Sequence, residues 1–275
     1  MPPYSLASGK RVPIAGLAKG LAVLEALVAG AEGASPAELV ARTGLERTTV
    51  QRILRTLTAE GYVSKSGHGQ YHVAPRAFSL GLGLSRGSQL ARTAKPYLDQ
   101  LGSRVQEATN LAVLDGLDVL YVARSEPNRS LSDTHTVGSR LPAYCTSLGR
   151  AILAFGPEER AISLLEKSDR SKVTDNTVTD FADLLSELAR VREQGYAMVN
   201  SELEKGLVCI SAPVWSPSGG AFAAMNISIP EIRVDDSTIE EYVPLLLDTA
   251  RMLSADLGWE QAPPAALGRH LVPAA

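Results

Sequence analysis

The sequence predicts an α+β chain in two parts, a small N-terminal winged helix-turn-helix followed by a larger mixed domain, and three observations point there. Its 275 residues exceed one small domain and, at roughly 100–200 residues per domain, read as two. Charge is unevenly divided. Residues 1–78 hold nine Lys/Arg against five Asp/Glu, and the remainder holds 18 against 25, so a polyanion would meet the N-terminal part and be repelled by the rest. Finally, the first part patterns as three helices and a hairpin, whereas the second mixes strand runs with helices.

The elements follow in order. Leu17, Leu21, Leu24 and Leu27 recur at helical spacing and end in a Gly-rich stretch, AGAEGAS, which predicts a first amphipathic helix. Ser35 before Pro36 is an N-cap with proline at the first helical position, and the short helix PAELVART stops at Gly44. Residues 45–60 contain neither proline nor glycine, and Gly61 stands where a left-handed cap is wanted. YVSKSGHGQYHVAP then alternates about a Ser66-Gly67-His68-Gly69 tip, as a hairpin does.

Beyond it, residues 88–108 form a helical pattern, read as a linker, with Pro96 expected to kink it. Two strands flank Asp115-Gly116; helices are expected over residues 147–155, 158–166 and 181–194. Strands over 208–214 and 221–229 are joined through Ser216-Pro217-Ser218-Gly219-Gly220, and a last helix covers 239–257. The expected divisions are a flexible N-terminus (1–14), the winged domain (15–78), the linker helix (79–108), the mixed domain (109–259) and a disordered tail (260–275).

The third helix carries the chemistry. At about 100° per residue, Val50, Ile53, Leu54 and Leu57 share one face while Thr48, Arg52 and Arg55 lie opposite, flanked by Thr49 and Gln51. Short side chains near a helix N-terminus allow close approach to a major groove, and Arg or Gln makes paired hydrogen bonds to base edges. The helix start also offers backbone N–H groups to a phosphate. A solvated polar face would look alike on its own; the short preceding helix, the basic charge and a hairpin carrying Lys65 and His68 favour double-stranded DNA. Arg47 at the helix start completes the candidate set.

Other functions find little support. No dinucleotide motif, phosphate loop, nucleophile elbow or paired metal ligands occur, and the GLGLSRG run at 81–87 lacks the required spacing. No catalytic residues, metal or cofactor are therefore expected. Cys145 and Cys209 are expected to be neutral thiols rather than nucleophiles. The N-terminus lacks the apolar core of a secretory signal and no apolar run approaches a membrane span, so a cytoplasmic protein with no membrane partner is expected.

Three stretches, LERTTVQRILRTLTAEGYV, VGSRLPAYCTSLGRAILA and GYAMVNSELEKGLVCISAPVWSPSGGAFAAMNIS, together resemble the IclR family of bacterial transcriptional regulators, and the resemblance spans residues 17–257. The wording LPAYCTSLGR and ELEKG is most similar to regulators of aromatic-acid catabolism through the β-ketoadipate pathway. The resemblance implies a GAF-like C-terminal domain binding a small effector, often a carboxylate, and homodimers or homotetramers on palindromic operators. An unrelated small carboxylate stays open as the effector, as does either sign of regulation. Its effector-contact positions fall on Ser147, Leu148, Val199, Leu207, Cys209, Asn226 and Ser228. Val199 departs from the pattern, since a polar residue can stand there.

Alternation adds to this. Leu207, Cys209 and Ser211 share one strand face, and Ala224, Asn226 and Ser228 share another, small or polar faces fit to line a cavity. Close packing against helices would use the same residue types. Thr146 and the backbone at the start of the Ser147 helix are candidates to hold a carboxylate, and Tyr144 is expected as an aromatic wall. Arg124 and Arg140 are second-rank partners for the carboxylate. Glu202 and Glu204 are left open between cavity rim and interface.

Overall fold

The computed structural model describes residues 14–30, 33–67, 69–77, 89–126 and 135–260. The expectations for residues 1–13, for His68, for the glycine run at 81–87 and for the tail from Gln261 lie outside these. The chain divides into two compact units, residues 1–87 and 88–275.

The first unit contains α1 (Ala15–Val28), α2 (Pro36–Thr43), α3 (Arg47–Ala59) and the hairpin strands β1 (Val63–Lys65) and β2 (Tyr71–Val73). Ser35 caps α2 by a reciprocal pair of bonds. Its Oγ accepts from the Glu38 N–H while its own N–H donates to the Glu38 carboxylate, at 3.3 and 2.7 Å. At the far end of α3, Gly61 takes φ +75°, and the N–H groups of Tyr62 and Gly61 return to the carbonyls of Leu57 and Thr58 at 2.9 and 3.0 Å. This closure turns the chain directly into β1. An isolated bridge from Ala34 to Tyr71 joins the α1–α2 connection to the hairpin.

The core of this unit is Val23, Leu27, Ala34, Leu39, Val50, Leu54 and Val63. The stripe expected on α1 needs correcting: Val23 and Leu27 are its buried residues, whereas Leu17 and Leu21 are 60% and 51% exposed. At 100° per residue, those two leucines lie about 120–160° around the helix from Val23, so four leucines at spacing three and four sweep past the true inner face.

The second unit is a six-stranded antiparallel sheet of order β5-β4-β3-β8-β7-β6, built from β3 (Ala108–Asp115), β4 (Asp118–Ser125), β5 (Arg140–Pro142), β6 (Ala197–Asn200), β7 (Leu207–Trp215) and β8 (Ala221–Pro230). Its back face is covered by α4 (Gln89–Val105) and α8 (Asp236–Asp256), which bury Leu98, Leu101, Leu246 and Leu253 against Ile210, Met225 and Ile227. Tyr97 Oη bonds Asp256 at 2.5 Å, Tyr242 Oη bonds the Val105 carbonyl at 2.9 Å, and Thr109 Oγ1 donates to the Leu98 carbonyl at 2.9 Å. The helix expected as a linker is therefore built into this sheet, and it continues through Pro96.

The front face carries α5 (Ser147–Phe155), α6 (Glu158–Lys167) and α7 (Phe181–Gln194), whose core includes Leu148, Ile152, Leu164, Leu184 and Leu188. The expected α+β class holds in both units. Strands β5 and β6 are additions to the sequence reading; at three and four residues on the sheet edges they are too short for alternation to register.

Candidate functional site

On α3, Val50 and Leu54 are wholly buried, so the opposite face is solvent-facing. Arg47, Thr48, Gln51, Arg52 and Arg55 are exposed there and Thr49 is half-buried. Glu46 at the N-cap makes no side-chain bond to the helix start, leaving the first-turn N–H groups of α3 to another acceptor. Lys65 on β1 is exposed, its ammonium 5.7 Å over the Tyr71 ring, so the wing presents a cation supported from below. The described DNA-facing candidates of the third helix thus share one surface of the first unit.

In the second unit, the front face of the sheet and the start of α5 enclose a narrow cleft with about 30 Å³ of free space. Thr146, Ser147 and Leu148 line it from α5; Val199, Leu207 and Cys209 from β6 and β7; and Asn226 and Ser228 from β8. Register explains the convergence. Val199 pairs with Cys209, Cys209 with Ser228, and Asn110 with Asn226, so one pleat face contributes all of them. Thr146 Oγ1 caps α5 by accepting from the Gly149 N–H at 3.2 Å.

Two expected residues lie elsewhere. Tyr144 is buried in the core of α5 to α7, its hydroxyl donating to the Ser171 carbonyl at 2.6 Å; burial pushes it up to about 12. It occupies the 3₁₀ turn Ala143–Cys145 and is not among the cleft-lining residues. The aromatic wall is Tyr121 of β4. Ser211 lies beneath the cleft, with its Oγ donating to Ser147 Oγ at 2.7 Å, and so it positions a lining residue from behind.

The sequence reading missed Tyr121, His135, Leu141, Cys145 and Leu203 as cleft residues. Alternation along β4 carried a signal for Tyr121. His135 and Leu203 sit in connections, where no period applies. Glu202 and Glu204, left open between two roles, both line the cleft. The Glu202 carboxylate meets Arg150 in two bonds of 2.7 and 2.6 Å and accepts from the Val178 N–H at 3.0 Å; Glu204 lies 3.9 Å from His135 Nε2. Arg140 is paired with Asp115 at the sheet edge, outside the cleft. Arg124 also stands back from it, bonding Asn110 Oδ1 at 3.3 Å and Glu126 at 3.4 Å.

Burial pushes the Cys145 thiol up to about 11. A thiol so placed is protonated near neutral pH and is a poor nucleophile. Among the described residues, no group of three or more His, Cys, Asp or Glu is arranged to hold a metal ion, and no helix is long and apolar enough to cross a membrane. What the cleft does offer is short polar side chains against apolar walls, with the paired Glu202 and Glu204 also in its lining.

Comparison with known proteins gives the same division. A family model described as IclR helix-turn-helix domain matches residues 16–67, and one described as bacterial transcriptional regulator IclR C-terminal matches residues 84–255. The chain is 38% identical over 243 residues, 88% of its own length and 83% of the relative's, to the Pca regulon regulatory protein of Pseudomonas putida. It is 33% identical over 246 residues, 87% and 90% of the two lengths, to the p-hydroxybenzoate hydroxylase transcriptional activator of Acinetobacter baylyi. Among solved structures it is similar to an IclR homolog complexed with 4-hydroxybenzoate from Microbacterium hydrocarbonoxydans, with a TM-score of 0.71 and 28% identity over 88% of this chain and 99% of that one.

Proposed function

The chain belongs to the IclR family of bacterial transcriptional regulators, and from that premise we propose that it is a cytoplasmic regulator answering to a small aromatic acid of the β-ketoadipate route. Operator DNA is read by Thr48, Gln51, Arg52 and Arg55 of α3, with Arg47, Thr49, Lys65 and His68 toward the phosphates. The operator is palindromic and the protein binds it as a homodimer or homotetramer, since two-fold protein symmetry matches two half-sites. Its role is regulatory and not enzymatic, and needs no cofactor.

The observation that carries the effector reading is the convergence of Ser147, Cys209, Asn226 and Ser228 on one cleft. An aromatic acid has a flat apolar body and a charged end. Tyr121, Leu141, Leu148, Val199 and Leu207 suit the body; the first N–H groups of α5, with Thr146 and Ser147, suit a carboxylate through the positive end of the helix dipole. The two relatives named for the Pca regulon and for p-hydroxybenzoate hydroxylase, and the related complex with 4-hydroxybenzoate, support this class of ligand.

The test is a thermal-shift screen of protocatechuate, 4-hydroxybenzoate and β-ketoadipate, followed by operator binding with and without each hit. A raised melting temperature together with an altered operator affinity is the expected result. No shift with any acid, or a shift without effect on DNA, overturns the reading.

A further inference from the structure

Along the cleft face of the sheet a row of polar side chains runs from outside the cleft into its lining. Arg124 on β4, Asn110 on β3 and Asn226 on β8 stand in register across three strands. Arg124 Nη1 donates to Asn110 Oδ1 at 3.3 Å. The Asn110 amide nitrogen donates to Asn226 Oδ1 at 2.9 Å and to Ser228 Oγ at 3.4 Å, and the Asn226 amide nitrogen donates to Ser228 Oγ at 3.2 Å. Asn110 and Asn226 are buried, and the Arg124 side chain is 10% exposed. Of these, only Asn226 and Ser228 line the cleft.

The row has a direction, and its origin is the arginine. A guanidinium donates and never accepts, so Asn110 must turn its carbonyl oxygen to Arg124. Its NH₂ end then faces Asn226, whose carbonyl must face back. That leaves the NH₂ end of Asn226 toward Ser228 and the cleft. Ser228 Oγ receives both amide nitrogens, which fills its two lone pairs, and Cys209 Sγ at 3.6 Å is the partner for its remaining proton. An amide free to flip would present either polarity; this one cannot.

We infer that Arg124, acting through Asn110, is a positioning residue that fixes Asn226 as a hydrogen-bond donor beside the start of α5, where Ser211 pairs with Asn226 and bonds Ser147, and so restricts that end of the effector to an oxygen acceptor such as a carboxylate. This rests on the reading of the cleft as the effector site. It goes further by assigning a selectivity to a residue outside the cleft and by giving that selectivity a cause. An amide group in place of the carboxylate brings its own N–H₂ against donors, which leaves buried donors unpaired.

The experiment compares 4-hydroxybenzoate with 4-hydroxybenzamide by calorimetry on the full-length protein. The wild type is expected to prefer the acid by tenfold or more, about the effect of one charge-assisted hydrogen bond. Arg124→Met frees the row to flip and brings the acid-to-amide ratio toward one, while Arg124→Lys keeps a donor to Asn110 and restores the preference. Asn110→Asp, which accepts on both sides and so turns Asn226 around, lowers the ratio independently should Arg124→Met fold poorly. A ratio unchanged in Arg124→Met and Asn110→Asp, with the wild type still preferring the acid, overturns the inference and leaves the effector site standing. Equal binding of acid and amide by the wild type overturns it as well. Binding of neither compound, with no shift from protocatechuate or β-ketoadipate in the screen above, sinks both readings together.

Discussion

Arg150 and Glu202 meet as a buried ion pair, joined by two hydrogen bonds of 2.7 and 2.6 Å, with the arginine 1% exposed. Arg150 Nε also donates to the Tyr144 carbonyl at 3.0 Å, and the Thr174 and Thr177 hydroxyls bond the Glu202 carbonyl at 3.2 and 2.6 Å. One guanidinium thereby fastens α5, the 3₁₀ turn and the loop bearing Glu202 to Glu204.

Removing Glu202 leaves the buried guanidinium with only the longer 3.8 Å contact to Glu187, a loss of up to about 3–5 kcal/mol, whereas replacing both partners of the pair by apolar residues of similar volume is often much less costly. Glu202→Ala is therefore expected to unfold at markedly lower urea than the wild type, and Arg150→Met with Glu202→Leu to recover much of that loss. Equal losses in the single and double variants would show that the pair acts through packing alone.

Gly149 gives a second test of the cleft's scaffold. A methyl group there would lie 2.1 Å from the Ala143 carbonyl oxygen and 2.5 Å from its Cα, both backbone atoms that cannot yield cheaply. Alanine gains about 1 kcal/mol in helix propensity, but the overpacking it forces costs about 1–3 kcal/mol or more and displaces the start of α5. Gly149→Ala should lose both stability and effector binding in melting and titration experiments; a more stable variant would contradict the close approach.

For DNA, Arg52→Ala is expected to weaken operator binding by about 1–3 kcal/mol if the guanidinium reads a base edge. Footprinting at fixed salt, with the operator and an unrelated sequence side by side, measures this. An equal loss on both sequences would place Arg52 on a phosphate instead.

Salt supplies an independent check. The +4 balance of residues 1–78 implies phosphate contacts that release counterions, so operator affinity should fall steeply and log-linearly as salt rises. A flat titration would favour a protein partner for the winged unit.

The elements readable from sequence were those with a long period or a marked end. Ser35 and Pro36 announce α2, Gly61 announces the end of α3, and Cys209, Asn226 and Ser228 separate from their neighbours by simple alternation. The row along the cleft face was invisible, because Arg124, Asn110 and Asn226 are joined by strand register across up to 116 positions of chain, and register is set by tertiary packing. Tyr121 lines the cleft where Tyr144 was expected: Tyr144 sits in the 3₁₀ turn Ala143–Cys145 with its hydroxyl on the Ser171 carbonyl, and no local pattern marks that turn.

Alkaline pH should expose the burial of Cys145. Its folded-state thiol is raised from 9.0 to about 11, so the folded chain favours the protonated form. That contribution is fully present below pH 9 and is lost as pH climbs toward 11. Two pKa units correspond to about 3 kcal/mol. Urea melts from pH 8 to 11 should show a decline that is shallower in Cys145→Ala; identical slopes would remove Cys145 as its source.

Strand β3 places successive residues on opposite faces of the sheet. Asn110 belongs to the donor row along the cleft face, and Thr109, its immediate neighbour, is bonded through the sheet's back to the Leu98 carbonyl of α4. The distance between ligand sensing and the helix that begins the second unit is thus a single peptide bond. Any displacement of β3 would therefore be felt on both faces of the sheet at once.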